Sequence, residues 1–213
     1  GDYRFSKRIN QRNRFFYEAG FDYIKDPKEV KVINPFFNSQ KKFIFGKLHS
    51  FQVLRGGMGL SRTLIEKSDK GSIALIGNIT GGGIIGFAKP IYYDLVDSVE
   101  IVGDFQYFYS SVQPLDIHKF NPSDIIGKGP FFSGISKTKI VPGIYLKLAL
   151  SLDFSKNVMK SNQIETGVNL DFYFREVEIM AENKQQLFLS IYASYRFGQK
   201  YNANLSREAR REK

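Results

Sequence analysis

Between residues 144 and 154 the chain alternates with period two: Ile144, Leu146, Leu148, Leu150, Leu152 and Phe154 fall on one face, Tyr145, Lys147, Ala149, Ser151 and Asp153 on the other. Successive side chains of an extended strand point to opposite sides, so this pattern predicts a strand with one wholly apolar face. The pattern repeats at 164–174, where Ile164, Thr166, Val168, Leu170, Phe172 and Phe174 oppose Glu165, Gly167, Asn169, Asp171 and Tyr173. It returns at 187–197, with Leu187, Leu189, Ile191, Ala193, Tyr195 and Phe197 against Phe188, Ser190, Tyr192, Ser194 and Arg196. Upstream, Phe15, Tyr17, Ala19, Phe21 and Tyr23 alternate with Phe16, Glu18, Gly20 and Asp22. Residues 51–66 and 71–88 predict a long hairpin, and 2–7 the end of one more strand, for seven strands in all.

The connections alternate too. They are short at 7–13, 67–71 and 156–161, and long at 25–48, 89–137 and, less so, 175–185. Short turns at one end and long loops at the other, joining strands apolar on one face, predict an antiparallel up-and-down transmembrane β-barrel over residues 1–198. Bacterial barrels of this kind have an even strand count, so eight strands are expected, the eighth coming from a connection or from residues before Gly1. Residues 199–213 are expected to form a basic periplasmic tail, and the long loops to face the cell exterior. The closing Tyr195-Arg196-Phe197 matches the aromatic strand end that barrel-insertion machinery recognises.

A soluble barrel turns its apolar face inward; a membrane barrel inverts this. The alternative, a half-buried soluble sheet, is less consistent with apolar faces as long as the roughly 9–11 residues a tilted span needs. On the membrane reading Glu18, Asp22, Arg55, Lys147, Asp153, Glu165, Asp171 and Arg196 form a polar network in the lumen. Both signs are present, and unpaired charge there would cost several kcal/mol. The aromatics at strand ends suit interfacial girdles. In the long loops Phe36, Phe37, Phe43, Phe45, Phe105, Tyr107, Phe108, Phe131 and Phe132 exceed what solvated loops need, which points to partner-binding loops.

Composition excludes several chemistries. The chain has no cysteine and no tryptophan, so neither disulfides nor thiolate metal sites are available. No apolar run is long enough for a transmembrane helix, and no signal peptide is visible, so an exported protein requires Gly1 to be a mature or truncated start. The formal charge of +10 and pI near 9.6 favour an anionic partner. Phosphorylated lipopolysaccharide facing the lysines of 25–48 meets that need without nucleic acid. The glycine clusters at 56–59 and 81–86 match no phosphate-binding fingerprint and suit bends and close packing within strands. His49 and His118 are the only histidines and stand in or beside different loops. Asp153, Glu165 and Asp171 lie beside Lys147 and Arg196 on polar strand faces, which favours structural ion pairs over a glycosidase pair. No catalytic, metal-binding or cofactor-binding residue is expected, and no cofactor.

Several segments carry a family resemblance. They are Lys25-Asp26-Pro27-Lys28-Glu29-Val30-Lys31-Val32-Ile33-Asn34-Pro35-Phe36-Phe37, then Phe43-Ile44-Phe45-Gly46-Lys47 and 51–59, then Gly86-Phe87-Ala88-Lys89-Pro90-Ile91-Tyr92-Tyr93, Pro142-Gly143-Ile144-Tyr145 and 187–198. Together they resemble an outer-membrane β-barrel family of Bacteroidota. The resemblance implies residence in the outer membrane of a Gram-negative bacterium. Small barrels of that phylum also occur as accessory subunits of large machines, among them the barrel assembly machinery and the type IX secretion system. The expected function is therefore a non-enzymatic accessory subunit of an outer-membrane complex for protein assembly or secretion, whose partners are membrane lipid and other outer-membrane proteins or lipoproteins, reached through loops 25–48 and 89–137. The alternative is a stand-alone barrel that binds a lipid or small ligand or conducts ions. A lipid enzyme is a third class, which would depend on His49 or His118.

Overall fold

The computed structural model describes residues 1–37, 41–69, 71–102, 105–156, 159–181 and 183–199. The described chain is all-β, with strands in the order β1 (Asp2–Arg8), β2 (Asn13–Ile24), β3 (Lys31–Val32), β4 (Phe43–Ile44), β5 (His49–Ile65), β6 (Ala74–Pro90), β7 (Tyr92–Val102), β8 (Phe105–Pro114), β9 (Ile125–Lys128), β10 (Lys139–Asp153), β11 (Lys160–Met180) and β12 (Asn183–Gln199). Single 3-10 turns lie at Pro122–Asp124 and Ile135–Lys137.

The seven segments with period-two alternation make one antiparallel sheet in the order β1-β2-β5-β6-β10-β11-β12. Neighbours in the sheet are successive long strands of the chain, the up-and-down arrangement that alternating connections dictate. Three tight connections, β1–β2, β5–β6 and β10–β11, define a turn end. The opposite end carries the long connections and the close β11–β12 join.

The sheet is rolled. Following the hydrogen-bonded rungs from β1, Arg4 aligns with Glu18, Gly57, Gly82, Tyr145 and finally Asp171. In space, however, Arg4 pairs with Glu165 at 3.0 Å, six residues away along β11. A sheet closing on itself must be staggered in this way, because twisted strands tilt against the axis of the roll. The seven strands read from the sequence are the seven of this sheet among the described residues, and no described connection adds an eighth to it. Nor do the two edge strands, β1 and β12, pair with each other, so the sheet is rolled without being closed.

The long connections are not plain loops, because their own apolar residues nucleate a second small core. β8, β7 and β9 form a three-stranded sheet, and β3 pairs with β4. Phe43, Ile91, Tyr93, Leu95, Leu115, Phe120 and Ile125 are buried together there. This cap unites 25–48 with 89–137. The expected third long loop, 175–185, is instead the continuation of β11 and β12, with register shifts after Phe172 and after Glu178. In the expected tail, Gln199 still belongs to β12; 200–213 lie outside the described residues.

Candidate functional site: the polar interior and the cap

Along the half of the sheet nearest the turn end, β10 and β11 turn their polar residues inward and their apolar residues outward. On β10 and β11, Lys147, Ser151, Asp153, Glu165, Asn169 and Asp171 are buried, while Leu146, Leu148, Leu150, Ile164, Val168 and Leu170 are exposed. All eight charged residues expected in a lumen network lie on the inner side: Glu18, Lys147, Glu165 and Arg196 share one cluster, Asp22, Arg55 and Asp171 a second, and Asp153 stands apart from both.

Glu165 is the hub and is wholly buried. It accepts from Arg4 Nη1 at 3.0 Å, Arg196 Nη2 at 3.0 Å, the Tyr192 hydroxyl at 2.9 Å, Ser151 Oγ at 2.9 Å and Asn78 Nδ2 at 3.1 Å. Glu18 accepts from Arg4 Nε at 2.9 Å and from Lys147 Nζ at 2.7 Å, and Lys147 also reaches Asp2 at 3.0 Å. Three carboxylates, Asp2, Glu18 and Glu165, thus meet three cations, Arg4, Lys147 and Arg196. Matching of charge with abundant hydrogen bonds is what lets such a cluster survive burial. The Arg4 guanidinium also lies 4.0 Å over the Phe16 ring, and Lys147 lies 4.6 Å from the Tyr192 ring centroid.

Two smaller sets flank this hub. Arg55 pairs with Asp22 and, at 2.6 Å, with Asp171. Asp153 is apart from the others; it accepts from Lys67 at 3.1 Å and from the Ser155 hydroxyl at 2.5 Å. Arg4, Asp2 and Lys67 were not singled out from the sequence. The period of β1 could have found the first two, since Asp2 and Arg4 share the parity of its inward face; Lys67 sits in a turn, where no period applies.

Two inward glycines make room for aromatic rings. A Cβ on Gly59 or on Gly86 would collide with the ring of Phe16 or of Phe51, respectively. The glycine clusters therefore act in packing, as expected of glycine within strands.

Toward the cap the interior changes character. Phe51, Val53, Ile84, Ala88, Val141, Tyr145, Tyr173, Val177 and Ile179 are buried together inside the roll. The charged residues expected in the lumen thus occupy the turn-end half of the interior, and its cap half is an apolar core of aromatic and β-branched residues. Over the same stretch polar residues join the outward positions, with Glu176 exposed on β11 and Gln52 and Lys89 partly exposed on β5 and β6.

The cap is fastened by buried polar contacts. Tyr93, in β7, donates its hydroxyl to the carbonyls of Ile44 at 2.8 Å and Lys47 at 2.7 Å. Burial raises the pKa of this phenol and keeps it neutral. Lys47 pairs with Glu29 at 2.5 Å and donates to the Tyr23 hydroxyl at 2.9 Å. Asn34 Nδ2 donates to the carbonyls of Ser123 and Ile125, both at 2.8 Å. Backbone bonds Leu48 to Ile179 at 2.9 Å and Ala181 to Gly46 at 2.7 Å tie the assembly to the top of β11.

The expected partner-binding aromatics divide into two groups. Phe43, 3% exposed, belongs to the cap core, and Phe45 packs against that core. These two are corrected from surface to interior: they are what the cap folds around. Phe36, Tyr107, Phe108, Phe131 and Phe132 are exposed, and Phe37 meets Phe108 edge to face, with ring centroids 5.4 Å apart. Phe105 opens β8, and its side chain lies outside the described residues.

His49 Nδ1 lies 2.7 Å from the carbonyl oxygen of Glu178, whereas His118 is exposed in the turn before Phe120. Among the described residues no three His, Asp or Glu side chains are grouped to hold a metal ion. Asp153, Glu165 and Asp171 are each engaged by a cation. Comparison with known protein families, with curated proteins and with solved structures gives no match for this chain.

Proposed function

We propose that this chain is an integral β-barrel protein of a Gram-negative outer membrane, working as a non-enzymatic accessory subunit of a larger outer-membrane complex. The observation that carries the membrane part is the inside-out polarity of the turn-end half. From Ile144 to Leu152, Ile164 to Phe174 and Leu187 to Phe197, the outward residues are uncharged and exposed, while charges are buried within. In water that arrangement sacrifices about 25 cal/mol for every Å² of apolar surface left exposed. In a bilayer it is the stable one, and the length of each apolar face matches a tilted span. The barrel is read as eight-stranded, with lipopolysaccharide and lipid around it. The cap lies outside the cell and the residues after Gln199 in the periplasm.

The subunit role rests on two features. Among the described residues the interior carries ion pairs at one end and an apolar core at the other, which favours a packed interior over a channel. The cap holds a rim of exposed aromatics, Phe36, Tyr107, Phe108, Phe131 and Phe132, an apolar surface of the kind that marks interfaces. Isolation of the tagged protein from native outer membranes in mild detergent tests both parts. Recovery in the membrane fraction with stoichiometric outer-membrane proteins or lipoproteins is expected. A lone monomer would remove the subunit role, and recovery in the soluble fraction would remove the membrane assignment.

A further inference from the structure

One charge interrupts the apolar outer face of the sheet. Among the outward positions of 13–23, 54–64, 75–87, 144–152, 164–174 and 187–197, Arg62 alone is charged. It is exposed, and the outward residues before and after it on β5, Leu60 and Leu64, are 51% and 53% exposed. Its neighbours across the sheet are Asn13 on β2 and Gly77 on β6. Arg62 makes no ion pair among the described residues; Glu66, four residues on, is held instead by Arg12 at 3.0 Å. An arginine on the lipid-facing side of a barrel costs more the deeper it lies, so one kept among leucines points to a partner for its charge.

Beside Arg62 the outer face is grooved. Leu60, Ile79, Leu148, Val168 and Ile191 stand in register across β5, β6, β10, β11 and β12, and Arg62, Gly77, Leu150 and Thr166 form the next outward row toward the turn end. A groove of about 930 Å³ lies between these rows. Its floor is the intervening backbone, where Ser61, Asn78 and Ala149 turn their side chains into the interior. Gly77 keeps the groove open next to Arg62, since a Cβ there would stand in it with only Leu64 in contact, at 3.4 Å. The groove is also inclined. The rung through Arg4 reaches β11 at Asp171, whereas Arg4 itself lies against Glu165, six residues nearer the turn end. Rungs therefore climb toward the cap from β1 to β12, so Arg62 marks the low end of the groove and Ile191 the high end. Four strand spacings of roughly 4.8 Å make it about 19 Å long, enough for a chain that crosses half of a core roughly 30 Å thick.

We propose that this groove binds one anionic glycerophospholipid of the periplasm-facing leaflet, with the lipid phosphate against Arg62 and the Asn13 amide and an acyl chain along the groove. The proposal rests on the membrane reading above, which puts the turn end at that leaflet. A guanidinium presents paired donors to two phosphate oxygens, so the one unpaired cation of this face and the headgroup complement each other. The incline agrees with this orientation, because the charged end lies toward the membrane surface and the apolar end toward the bilayer centre. A second copy fits poorly: the same outer positions bring it leucines, isoleucines and another Arg62, and no carboxylate. A phosphatidylglycerol headgroup keeps its negative charge, whereas the quaternary ammonium of phosphatidylcholine cancels it, so the site prefers the former.

The test uses protein extracted from native outer membranes in mild detergent and transferred to phosphatidylcholine vesicles. The chain has no tryptophan, so Ile79→Trp places a single fluorescent reporter on the groove wall, with Leu60→Trp as a second in case the first does not fold. Ile85→Trp, three outward positions nearer the cap on β6, reports on the face away from the groove. Each is titrated with brominated phosphatidylglycerol and, separately, with brominated phosphatidylcholine, and quenching is read. At the groove, apparent affinity for the phosphatidylglycerol is expected to be about fivefold higher, the attraction of one basic side chain for an anionic lipid. Arg62→Gln should abolish the preference, Arg62→Lys should restore part of it, and Gly77→Leu, which fills the groove, should remove it; Ile85→Trp should show none. Equal quenching by the two lipids with Arg62 present, or a preference that survives Arg62→Gln or Gly77→Leu, would overturn the proposal. So would the same preference at Ile85→Trp, or a groove reporter shielded from both lipids, which would put a second copy or another protein on this face. Those outcomes leave the membrane reading standing, because they are read on embedded protein. Recovery of the native chain in the soluble fraction, before any transfer to vesicles, would instead remove that reading and the lipid site with it.

Discussion

The two halves of the rolled sheet obey opposite rules although the same strands run through both. Near the turn end, β11 buries Glu165, Asn169 and Asp171 and exposes Ile164, Val168 and Leu170; near the cap it buries Val177 and Ile179 and exposes Arg175 and Glu176. β5 does the same, burying Arg55 and Ser61 in one half and Phe51 and Val53 in the other. A strand has no means of changing its period, only its composition, and on the membrane reading proposed above the switch follows a change in what lies outside the sheet. Where lipid is outside, the interior must hold the polar groups; where water is outside, the interior becomes an ordinary apolar core. On this reading the aromatics at the changeover, Tyr23, Phe87 and Phe174, mark the upper boundary of the bilayer.

The sharpest way to break the comparison is to remove a hub charge from the polar half. Glu165→Leu leaves Arg4, Arg196 and Lys147 with one carboxylate fewer in a buried cluster, and losing one partner of a buried ion pair costs about 3–5 kcal/mol. The expected result is a large fall in the urea midpoint in lipid vesicles, followed by the mobility difference between boiled and unboiled protein. A Glu165→Gln variant, which retains hydrogen bonding without the charge, should lose less. An unchanged midpoint for Glu165→Leu would mean that the network is not a stabilising element.

A charge on the outer face comes next. Leu148→Lys in the apolar half should cost about 2–4 kcal/mol in a bilayer if that position is near its midplane. Glu176→Lys, on the same outer surface of the cap half, should change stability by no more than about 0.5 kcal/mol, as surface substitutions do. Equal effects at the two positions would contradict a changeover from lipid to water between them.

Smaller effects are expected in the cap. Tyr93→Phe removes the hydroxyl bonds to Ile44 and Lys47 and should cost about 1–3 kcal/mol, from the lost bonds and from buried carbonyl oxygen deprived of a donor. Hydrogen exchange should rise at 43–48 and leave the sheet unchanged. The smallest effect is in alkali. Burial holds the Tyr93 pKa above its ordinary value of 10.0, so its contribution is complete below pH 10 and declines as pH rises from there toward the raised pKa. The cap should loosen in strong alkali in the native chain, and this dependence should weaken in Tyr93→Phe.

Much of the sheet is legible from the order of residues alone. Period-two alternation located all seven long strands and assigned their faces, because a one-residue slip would turn every side chain to the wrong side. It also placed Glu18, Lys147 and Glu165 on one surface. The folded chain decided the rest. That Arg4 meets Glu165 depends on the stagger of the roll, which no local pattern encodes. That Phe43 is core whereas Phe36 is surface depends on 25–48 folding against 89–137, a contact between segments far apart in sequence. Where β11 continues past Phe174, its polarity inverts and its register shifts, so a reading that expects one polarity ends the strand early. Local pattern specifies which way a side chain points; only tertiary structure specifies what it points at, because that depends on the roll and docking of distant segments.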